Sequence, residues 1–598
     1  MIKFKFNNNF WGYFRFFYSI LGNKLPLNLA LNILISLLDT IGLVMFFPVL
    51  LLLLKESVTS EKHPLGKLHF IINILKSLGY ELSIGSALFL LTILFTLKGL
   101  FKFIQYQNQV SLRQLFIKRL RLSFINNLGR LSYEGFVKLN SGRIHNVFTN
   151  ESYRVYLSID YYLFALQNIV MLVSYGMLGF WTNYQFGIFI CLSGGLLYLI
   201  FKNILLATKN ASIHISEMGN NFNGFLIESI TYFKYLKSTN RITVFATKLK
   251  AIIDNTEALN KKMGIYNSMI NSVKEPTIIL LISAAILIQV KWFPGSITSI
   301  SLALLIFYRG LSCFTAIQLS WQRFLQSVGA INEVSKLSIE IVNNKEVPTG
   351  KVFDSFQRKI CMKEVSVSFG RNKILKGINL DFPKNHTTAL IGKSGAGKTT
   401  IANLLCGLIK PDEGDILIDD VNLNTYDLNS FRNRIGYICQ EPVVFNDNIF
   451  NNVTFWSDRT PDNLKRFWEA VSLSALSDFV ESQPLKEDTQ LGDNGLLISG
   501  GQKQRISFAR EFYKRVEIII LDEATSSLDS ESEQVIQENI EKLEGLFTVV
   551  VITHRLATVK MADFIYLVKN GDIESSGNFK TLMENSSTFR HMVDLQQV

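Results

Sequence analysis

Cysteine, proline and charged residues are all scarce in this sequence of 598 residues. The five cysteines are scattered without a C-x-x-C pair, so the sequence predicts neither a zinc site nor a disulfide framework. Charged residues make up only 18%, below the usual share of about a quarter, whereas apolar residues make up 48%. The N-terminus lacks a small-residue cleavage pattern, so we expect no cleavable signal peptide. These shortages argue against a disulfide-rich secreted domain and direct attention to the apolar residues.

The apolar residues are concentrated before about residue 320, in runs long enough to cross a bilayer. Six spans are predicted, at approximately 26–54, 85–107, 160–181, 185–206, 267–290 and 296–319. Short turns join the third span to the fourth and the fifth to the sixth, so the long connections 108–159 and 207–266 lie on one face of the membrane. The sequence therefore predicts an all-α, six-helix transmembrane domain, followed by a more polar region.

Both long connections are basic, and the first carries eight lysines and arginines against two glutamates. By the positive-inside rule, the two connections, both termini and the polar C-terminal region are expected in the cytoplasm. Much of the net charge of +12 then serves to orient a multi-pass protein in the inner or plasma membrane. The lipid bilayer is therefore an expected partner, and nucleic acid is not.

Proline is absent between Pro64 and Pro276, and proline interrupts helices by removing a donor. Spans two to five are therefore expected to continue as helices beyond the bilayer, by about 30 Å for every 20 residues. Residues 1–24 alternate aromatic and basic side chains, which predicts an interfacial amphipathic helix; a helix packed on the rest of the protein is the alternative. Residues 228–234 are predicted to form a short helix that docks on a partner surface.

A glycine-rich stretch between an apolar strand and a helix has the form G-x-x-x-x-G-K-[ST]. Its glycines let the backbone turn N–H groups onto phosphate oxygens, and the following helix N-terminus adds partial positive charge. Lys398 supplies a full charge, and the Thr399 hydroxyl is placed to ligate Mg²⁺. The stretch therefore predicts a nucleoside triphosphate site made of Gly392, Lys393, Ser394, Gly395, Ala396, Gly397, Lys398, Thr399 and Thr400.

Two further motifs follow this phosphate loop. An apolar strand ends in two acids: Asp522 can hold Mg²⁺ through water, and Glu523 can orient or deprotonate the water that attacks the γ-phosphate. A second cradle for phosphate opens a helix at Ser499, Gly500, Gly501 and Gln502. Because the phosphate loop already holds one side of a nucleotide, we expect this second cradle to serve a nucleotide across a dimer interface.

These motifs, in this order after six spans, resemble the ABC transporter family, specifically the exporter type with spans fused ahead of an α/β P-loop ATPase domain. The resemblance covers essentially the whole chain and implies ATP as the nucleotide. It gives roles to four more residues, namely Gln440 at Mg²⁺ and the transmembrane helices, His554 near the γ-phosphate, Asp529 in the D-loop and Phe369 on the adenine. Phe369 stands where tyrosine is usual, which keeps the stacking face, and Ile498 replaces the usual leucine before Ser499.

The resemblance also implies the domain organisation and the partner. With the change in composition along the chain, we expect a transmembrane domain at 1–335, a linker at 336–351 and a nucleotide-binding domain at 352–598. The working unit of the family has twelve spans and two ATPase domains, so a second copy of this chain is the expected partner. ATP then closes the dimer between one phosphate loop and the partner's Ser499 cradle, and hydrolysis reopens it.

Three charged residues, Asp39, Lys98 and Arg309, lie near the middle of spans, where each costs about 2.5–3.5 kcal/mol. If Asp39 pairs with either cation, the other is left for a phosphate-bearing substrate. Spans one and six also resemble the exporters that flip lipid-linked oligosaccharides, a branch in which an intramembrane arginine is associated with the lipid pyrophosphate. We therefore expect a flippase for such a glycolipid. The alternatives are an exporter of hydrophobic drugs, peptides or plain lipids, and an ATP-driven regulatory protein without transport.

Overall fold

The computed structural model describes residues 8–53, 84–182, 184–292, 297–347, 350–524 and 547–595, together with residues 534, 538 and 545. The chain divides into two compact units. The first comprises Met1–Leu131 and Gly135–Lys345, and the second comprises Ser132–Glu134 and Glu346–Val598.

The described part of the first unit is mainly helical, and the helix Tyr133–Val137 begins with two residues, Tyr133 and Glu134, that belong to the second unit. Its α-helices are α1 (Phe10–Leu21), α2 (Lys24–Leu53), α3 (Ile84–Leu128), α4 (Tyr133–Val137), α5 (Ser141–Asn146), α6 (Ser152–Thr182), α7 (Tyr184–Thr231), α8 (Phe233–Ser238), α9 (Ile242–Trp292), α10 (Ile297–Leu325) and α11 (Val328–Asn343). A π-helical turn, Val147–Glu151, joins α5 to α6. Six helical stretches among the described residues are long and apolar enough to cross a membrane, which confirms the predicted six-helix class.

The helices that carry the inner spans are long, as the missing prolines predict. The helix α3 has 45 residues, α7 has 48 and α9 has 51, with Pro276 inside α9. The segment 228–234 does not form a helix of its own, because α7 continues to Thr231 and α8 begins at Phe233. The short helix thus starts five residues later than expected.

The first helix, α1, packs on the bundle through one aromatic face. Phe17 is fully buried and its ring lies 5.6 Å from that of Phe116 and 5.0 Å from that of Tyr162. On the opposite face Trp11 is 68% exposed. The buried face corresponds to the packed-helix alternative, and contact of the exposed face with a membrane interface stays a prediction.

The structure differs from the predicted linker at 336–351. Residues 336–343 form the second half of α11, which is buried in the core of the first unit through Ile331, Val334, Leu337 and Ile341. These apolar residues recur every three or four positions, which is the spacing of one helix face. The division between the two units falls at Lys345 and Glu346, after this helix has ended.

The second unit contains two sheets with helices around them. Its strands are β1 (Lys359–Phe369), β2 (Asn372–Pro383), β3 (Thr387–Ile391), β4 (Glu413–Ile418), β5 (Val421–Asn422), β6 (Ile435–Ile438), β7 (Ile518–Asp522), β8 (Thr548–Ile552), β9 (Phe564–Lys569) and β10 (Asp572–Gly577). Its described α-helices are α12 (Lys398–Leu405), α13 (Leu428–Arg432), α14 (Ile449–Thr454), α15 (Pro461–Leu473), α16 (Ser477–Ser482), α17 (Gly500–Lys514), α18 (Leu556–Lys560), α19 (Phe579–Asn585) and α20 (Ser587–Asp594).

The larger sheet positions the candidate site. Its strand order is β10-β9-β3-β8-β7-β6, and the neighbouring strands from β9 to β6 run parallel, while β10 is antiparallel. Strands β3, β7 and β8 are almost entirely buried apolar runs, as expected of a sheet covered on both faces. The carboxyl ends of parallel strands share one edge, where open α/β sheets bind ligands. The smaller sheet is antiparallel, with the order β2-β1-β4-β5.

Candidate nucleotide-binding site

The phosphate loop begins directly after β3 with a glycine. Any other residue at this position would force neighbouring atoms to move. Gly392 has φ +146°, and a Cβ at this position would meet the backbone oxygen of Val568 at 2.1 Å. Gly397 has φ +109°, and its Cβ would meet the Leu375 side chain at 2.7 Å. Gly395 has φ +78° with open space beside it. The loop is therefore packed tightly against the sheet on one side and open on the other.

Lys398 is held inside this loop. It is buried, and its Nζ donates to the backbone oxygens of Gly392 at 2.7 Å and Lys393 at 3.1 Å. Burial lowers the pKa of Lys398, while the nearby carboxylates of Glu523 and Asp522 act to raise it. A buried ammonium near the open space at Gly395 favours an anionic ligand.

The start of α12 adds donors to the same place. The first N–H groups of a helix have no carbonyl partner within the helix and carry partial positive charge. Here α12 begins at Lys398, so these groups belong to the loop and to the residues directly after it, including Thr399 and Thr400. Open space beside Gly395, a tethered ammonium and a helix N-terminus together fit a triphosphate.

Asp522, at the carboxyl end of β7, is held by hydrogen bonds from two other elements. The Tyr437 hydroxyl donates to Asp522 Oδ2 at 2.9 Å, and Thr399 also bonds the carboxyl group. Burial raises the pKa of Asp522 above its ordinary value, although the bond from Tyr437 opposes this. Burial also raises the pKa of Tyr437, so its phenol remains a donor. Thr399 and Asp522 offer adjacent hard oxygen atoms, which fit Mg²⁺, a metal that usually takes few protein ligands.

Glu523 follows Asp522 with both carboxylate oxygens engaged. Its Oε2 accepts from Gln440 Nε2 at 3.0 Å, and its Oε1 lies 3.0 Å from His554 Nε2. Its backbone lies in the left-handed region, φ +49°, and its N–H donates to the Ile552 oxygen at 2.9 Å. The three residues predicted to be catalytic thus meet in one place.

Nε2 of His554 lies between two charged groups, Glu523 Oε1 at 3.0 Å and Lys398 Nζ at 3.3 Å. A carboxylate can only accept, so a proton on Nε2 would be donated to Glu523. An unprotonated Nε2 would instead accept the third N–H of Lys398, whose other two N–H groups go to loop carbonyls.

Comparisons with known proteins place this geometry in a family. The family described as "ABC transporter" matches residues 375–526. A Nostoc sp. protein, "Heterocyst differentiation ATP-binding protein HepA", is 31% identical over 465 residues, covering 76% of this chain and 74% of the relative. The chain belongs to the ABC transporter family.

Further relatives show the exporter type. An "ATP-dependent lipid A-core flippase" of Haemophilus influenzae is 28% identical over 426 residues, covering 70% of this chain and 72% of that protein. The solved structure of a bacterial Atm1-family ABC exporter with ATP bound shares the fold, with a TM-score of 0.78, 20% identity and coverage of 97% of this chain and all of that one. The chain is therefore a multi-pass ABC exporter whose ATPase activity is coupled to transport.

The residues predicted to form a second phosphate cradle lie at the start of α17. Ser499 Oγ accepts from the Gln502 N–H at 3.3 Å, and the Gln502 side chain accepts from the Ser499 N–H at 2.9 Å, which completes a capping box. The Gln502 side-chain oxygen is thus used within its own helix, while the Ser499 hydroxyl proton and the Gln502 NH₂ group remain as donors for a ligand. Gly500 and Gly501 are the first two residues of the helix.

Phe369 and Asp529 are two further residues that were predicted to belong to the nucleotide site. Phe369, at the end of β1, is 54% exposed, so its ring is accessible for stacking. Asp529 lies outside the described residues, as do the rest of residues 525–530. Within the phosphate loop, Lys393 and Ser394 are exposed, whereas Ala396 is buried.

The three charged residues that were predicted to meet the substrate differ in whether they have an ion-pair partner. Asp39, on α2, is buried and pairs with Lys98 of α3. The Tyr175 hydroxyl of α6 donates to the other oxygen of the same carboxylate. Arg309, on α10, is exposed and has no ion pair with any residue that the structure describes. Sequence reasoning missed Tyr175, because a tyrosine within an apolar span gives no local signal of its partner.

Proposed function

We propose that this chain is one half of a homodimeric flippase that moves a phosphate-bearing glycolipid, such as a lipid-linked oligosaccharide, across the inner or plasma membrane. Arg309 carries the proposal. Because Asp39 already neutralises Lys98, Arg309 is the cation at mid-span that is left to meet an anionic headgroup. The lipid A-core flippases among the relatives support a lipid cargo.

In the proposed cycle the second unit, called the soluble unit from here on, lies on the cytoplasmic side and hydrolyses ATP. Lys398 and the N–H groups of the loop would hold the phosphates, and Thr399, Asp522 and Gln440 would hold Mg²⁺. ATP would supply the phosphoryl group whose transfer to water drives transport, and Mg²⁺ would neutralise charge on the phosphate oxygens. Glu523 would accept the proton of the attacking water, and a proton on His554 Nε2 would be donated to an oxygen of the γ-phosphate.

Each carboxylate oxygen of Glu523 has one neighbour, Gln440 Nε2 or His554 Nε2, and keeps a further lone pair that can accept the proton of a water. Gln440 donates to Glu523 through Nε2, which leaves its side-chain oxygen as the atom that would ligate the metal. The second half of each site comes from the partner in our proposal. Phe369 stacks on adenine, and the partner chain presents its copies of the Ser499–Gln502 cradle and the D-loop containing Asp529.

A second candidate cargo is a hydrophobic drug, peptide or plain lipid. A cavity of about 1050 Å³ lies among α6, α7 and α10 in the first unit. Its lining is mostly apolar and includes Met177, Trp181, Tyr198 and Phe314. Such a lining suits an acyl chain as well as a neutral drug, so the charge of the cargo must decide between the two candidates.

The test is reconstitution of the full chain in liposomes, with ATPase stimulation measured for a lipid-linked oligosaccharide and for a neutral hydrophobic drug. We expect Arg309→Ala to abolish stimulation by the glycolipid and to leave basal turnover and any drug response unchanged. Arg323→Ala is the matched control, because it removes the same charge from the same helix about 21 Å away. Equal glycolipid stimulation of both variants and the wild type would eliminate the glycolipid proposal.

A further inference from the structure

The hydroxyl of Tyr437 connects two strands at the edge of the sheet where the candidate site lies. Tyr437 belongs to β6, which pairs in parallel with β7, and it lies opposite Ile520 in that register. Asp522 is two residues further along β7, so it points to the same face as Ile520. The side chain of Tyr437 therefore extends along the neighbouring strand and reaches Asp522 Oδ2 at 2.9 Å.

The hydrogen bond restricts a group that otherwise rotates. The terminal torsion of an aspartate is broad, so a lone carboxylate samples many orientations. Here Tyr437 from β6 and Thr399 from α12 both bond the Asp522 carboxyl group. Tyr437 is half-buried and packs against the core of the second unit, so its phenol is fixed by the fold. In metal sites, residues that do not bind the metal themselves commonly orient the carboxylates that do, and Tyr437 is placed in the same way.

We propose that Tyr437 is a positioning residue that orients Asp522 for the divalent metal bound with the nucleotide. The inference rests on the proposed role of Asp522 and Thr399 as metal ligands. It assigns to Tyr437 no contact with the nucleotide or with the attacking water. Its effect is on the affinity for the metal, and only through that on turnover.

The test uses the full chain in detergent with saturating ADP, and Mn²⁺ binding followed by electron paramagnetic resonance. We expect Tyr437→Phe to weaken Mn²⁺ binding about tenfold, the size typical of losing one hydrogen bond to a charged group. In steady-state assays the Mg²⁺ concentration for half-maximal ATPase activity rises by a similar factor, while turnover at saturating Mg²⁺ stays within about twofold. Tyr437→Met, which also lacks the hydroxyl, is expected to give the same result.

The matched control is Tyr566→Phe. Tyr566 is a buried tyrosine of β9 in the same sheet, and its hydroxyl accepts from the Asp381 backbone N–H at 2.9 Å, outside the site. Its loss should leave Mn²⁺ affinity unchanged. Mn²⁺ affinity of both Tyr437 variants within twofold of the wild type would overturn the inference. If the wild type itself bound no Mn²⁺ with ADP, the metal role of Asp522 in the proposed function would fall as well, which is a distinct result.

Discussion

Replacing Glu523 by glutamine removes the proposed base with little change in shape. The glutamine oxygen can still accept from His554, which lies 3.0 Å from Oε1 in the wild type. Its new NH₂ group faces Gln440, whose side-chain amide can turn to present its oxygen instead. The left-handed backbone at this position and its bond to Ile552 remain. The variant is therefore expected to fold and to bind nucleotide normally.

The expected loss lies in the chemical step. A positioned general base contributes about 10²- to 10⁴-fold, so ATPase turnover of Glu523→Gln should fall by that factor. Nucleotide affinity should change by less than about threefold, because Lys398 and the loop glycines keep their contacts. The assay is phosphate release from liposome-reconstituted protein at saturating Mg-ATP, together with equilibrium binding of a fluorescent ATP analogue.

The same variant tests the proposed dimer, because ATP that is bound but not hydrolysed should hold the two soluble units together. Cross-linking between the soluble units of two chains should therefore increase with Mg-ATP. Glu517→Gln is the control, since Glu517 lies just before β7, at the opposite end of the strand from Glu523. Turnover above about a tenth of the wild-type rate would refute the role of Glu523 as base. Soluble units that stay apart under saturating Mg-ATP would refute the shared site.

Three further predictions concern single residues. Gly392→Ala should weaken ATP binding about 10- to 100-fold, because the new methyl group would overlap the Val568 oxygen; isothermal titration measures this, and unchanged affinity would contradict the loop geometry. Phe369→Ala should weaken ATP binding about fivefold and Phe369→Tyr should not, as judged by the same titration, if the exposed ring stacks on adenine. Glu333 is buried, which raises its pKa, but the charge of Arg143 and neighbouring hydrogen bonds more than offset this, so the folded-state pKa lies below the ordinary 4.5. The stabilisation from the ionised Glu333 is therefore present above about pH 4.5 and is lost as the pH falls through the lower pKa of the folded state. The Tm difference between wild type and Glu333→Gln should shrink on acidification below pH 4.5. A constant difference would contradict this role of Glu333.

The fold class could be predicted because its signals are local. Six apolar runs of spanning length and one strand–loop–helix motif each occupy a continuous stretch of sequence. The parallel order of the sheet then brings the ends of β7 and β8 to the phosphate loop, although Asp522 and His554 are more than a hundred residues away in sequence. It is therefore easier to predict that motifs at the ends of parallel strands lie close together than to predict the contacts of residues in the middle of strands.

The residues that sequence reasoning missed act through side chains in the middle of packed elements. Tyr437 reaches Asp522 only because β6 pairs with β7, and Tyr175 reaches Asp39 only because α6 packs beside α2. Neither pairing has a pattern in the sequence around the tyrosine. The extent of α11 was difficult to predict for a related reason: buried polar residues such as Ser335 and Ser338 lie among its apolar ones, and its packing in the first unit is visible only in the fold.

The pair of Asp39 and Lys98 has a consequence for how the protein is made. Asp39 emerges from the ribosome 59 residues before Lys98. Until then α2 carries an uncompensated carboxylate that disfavours its entry into lipid by about 2.5–3.5 kcal/mol. Its counter-charge arrives only with α3, so the first two spans should leave the translocation channel as a hairpin rather than one after the other. Loss of Lys98 would then be seen first as a shortage of inserted protein.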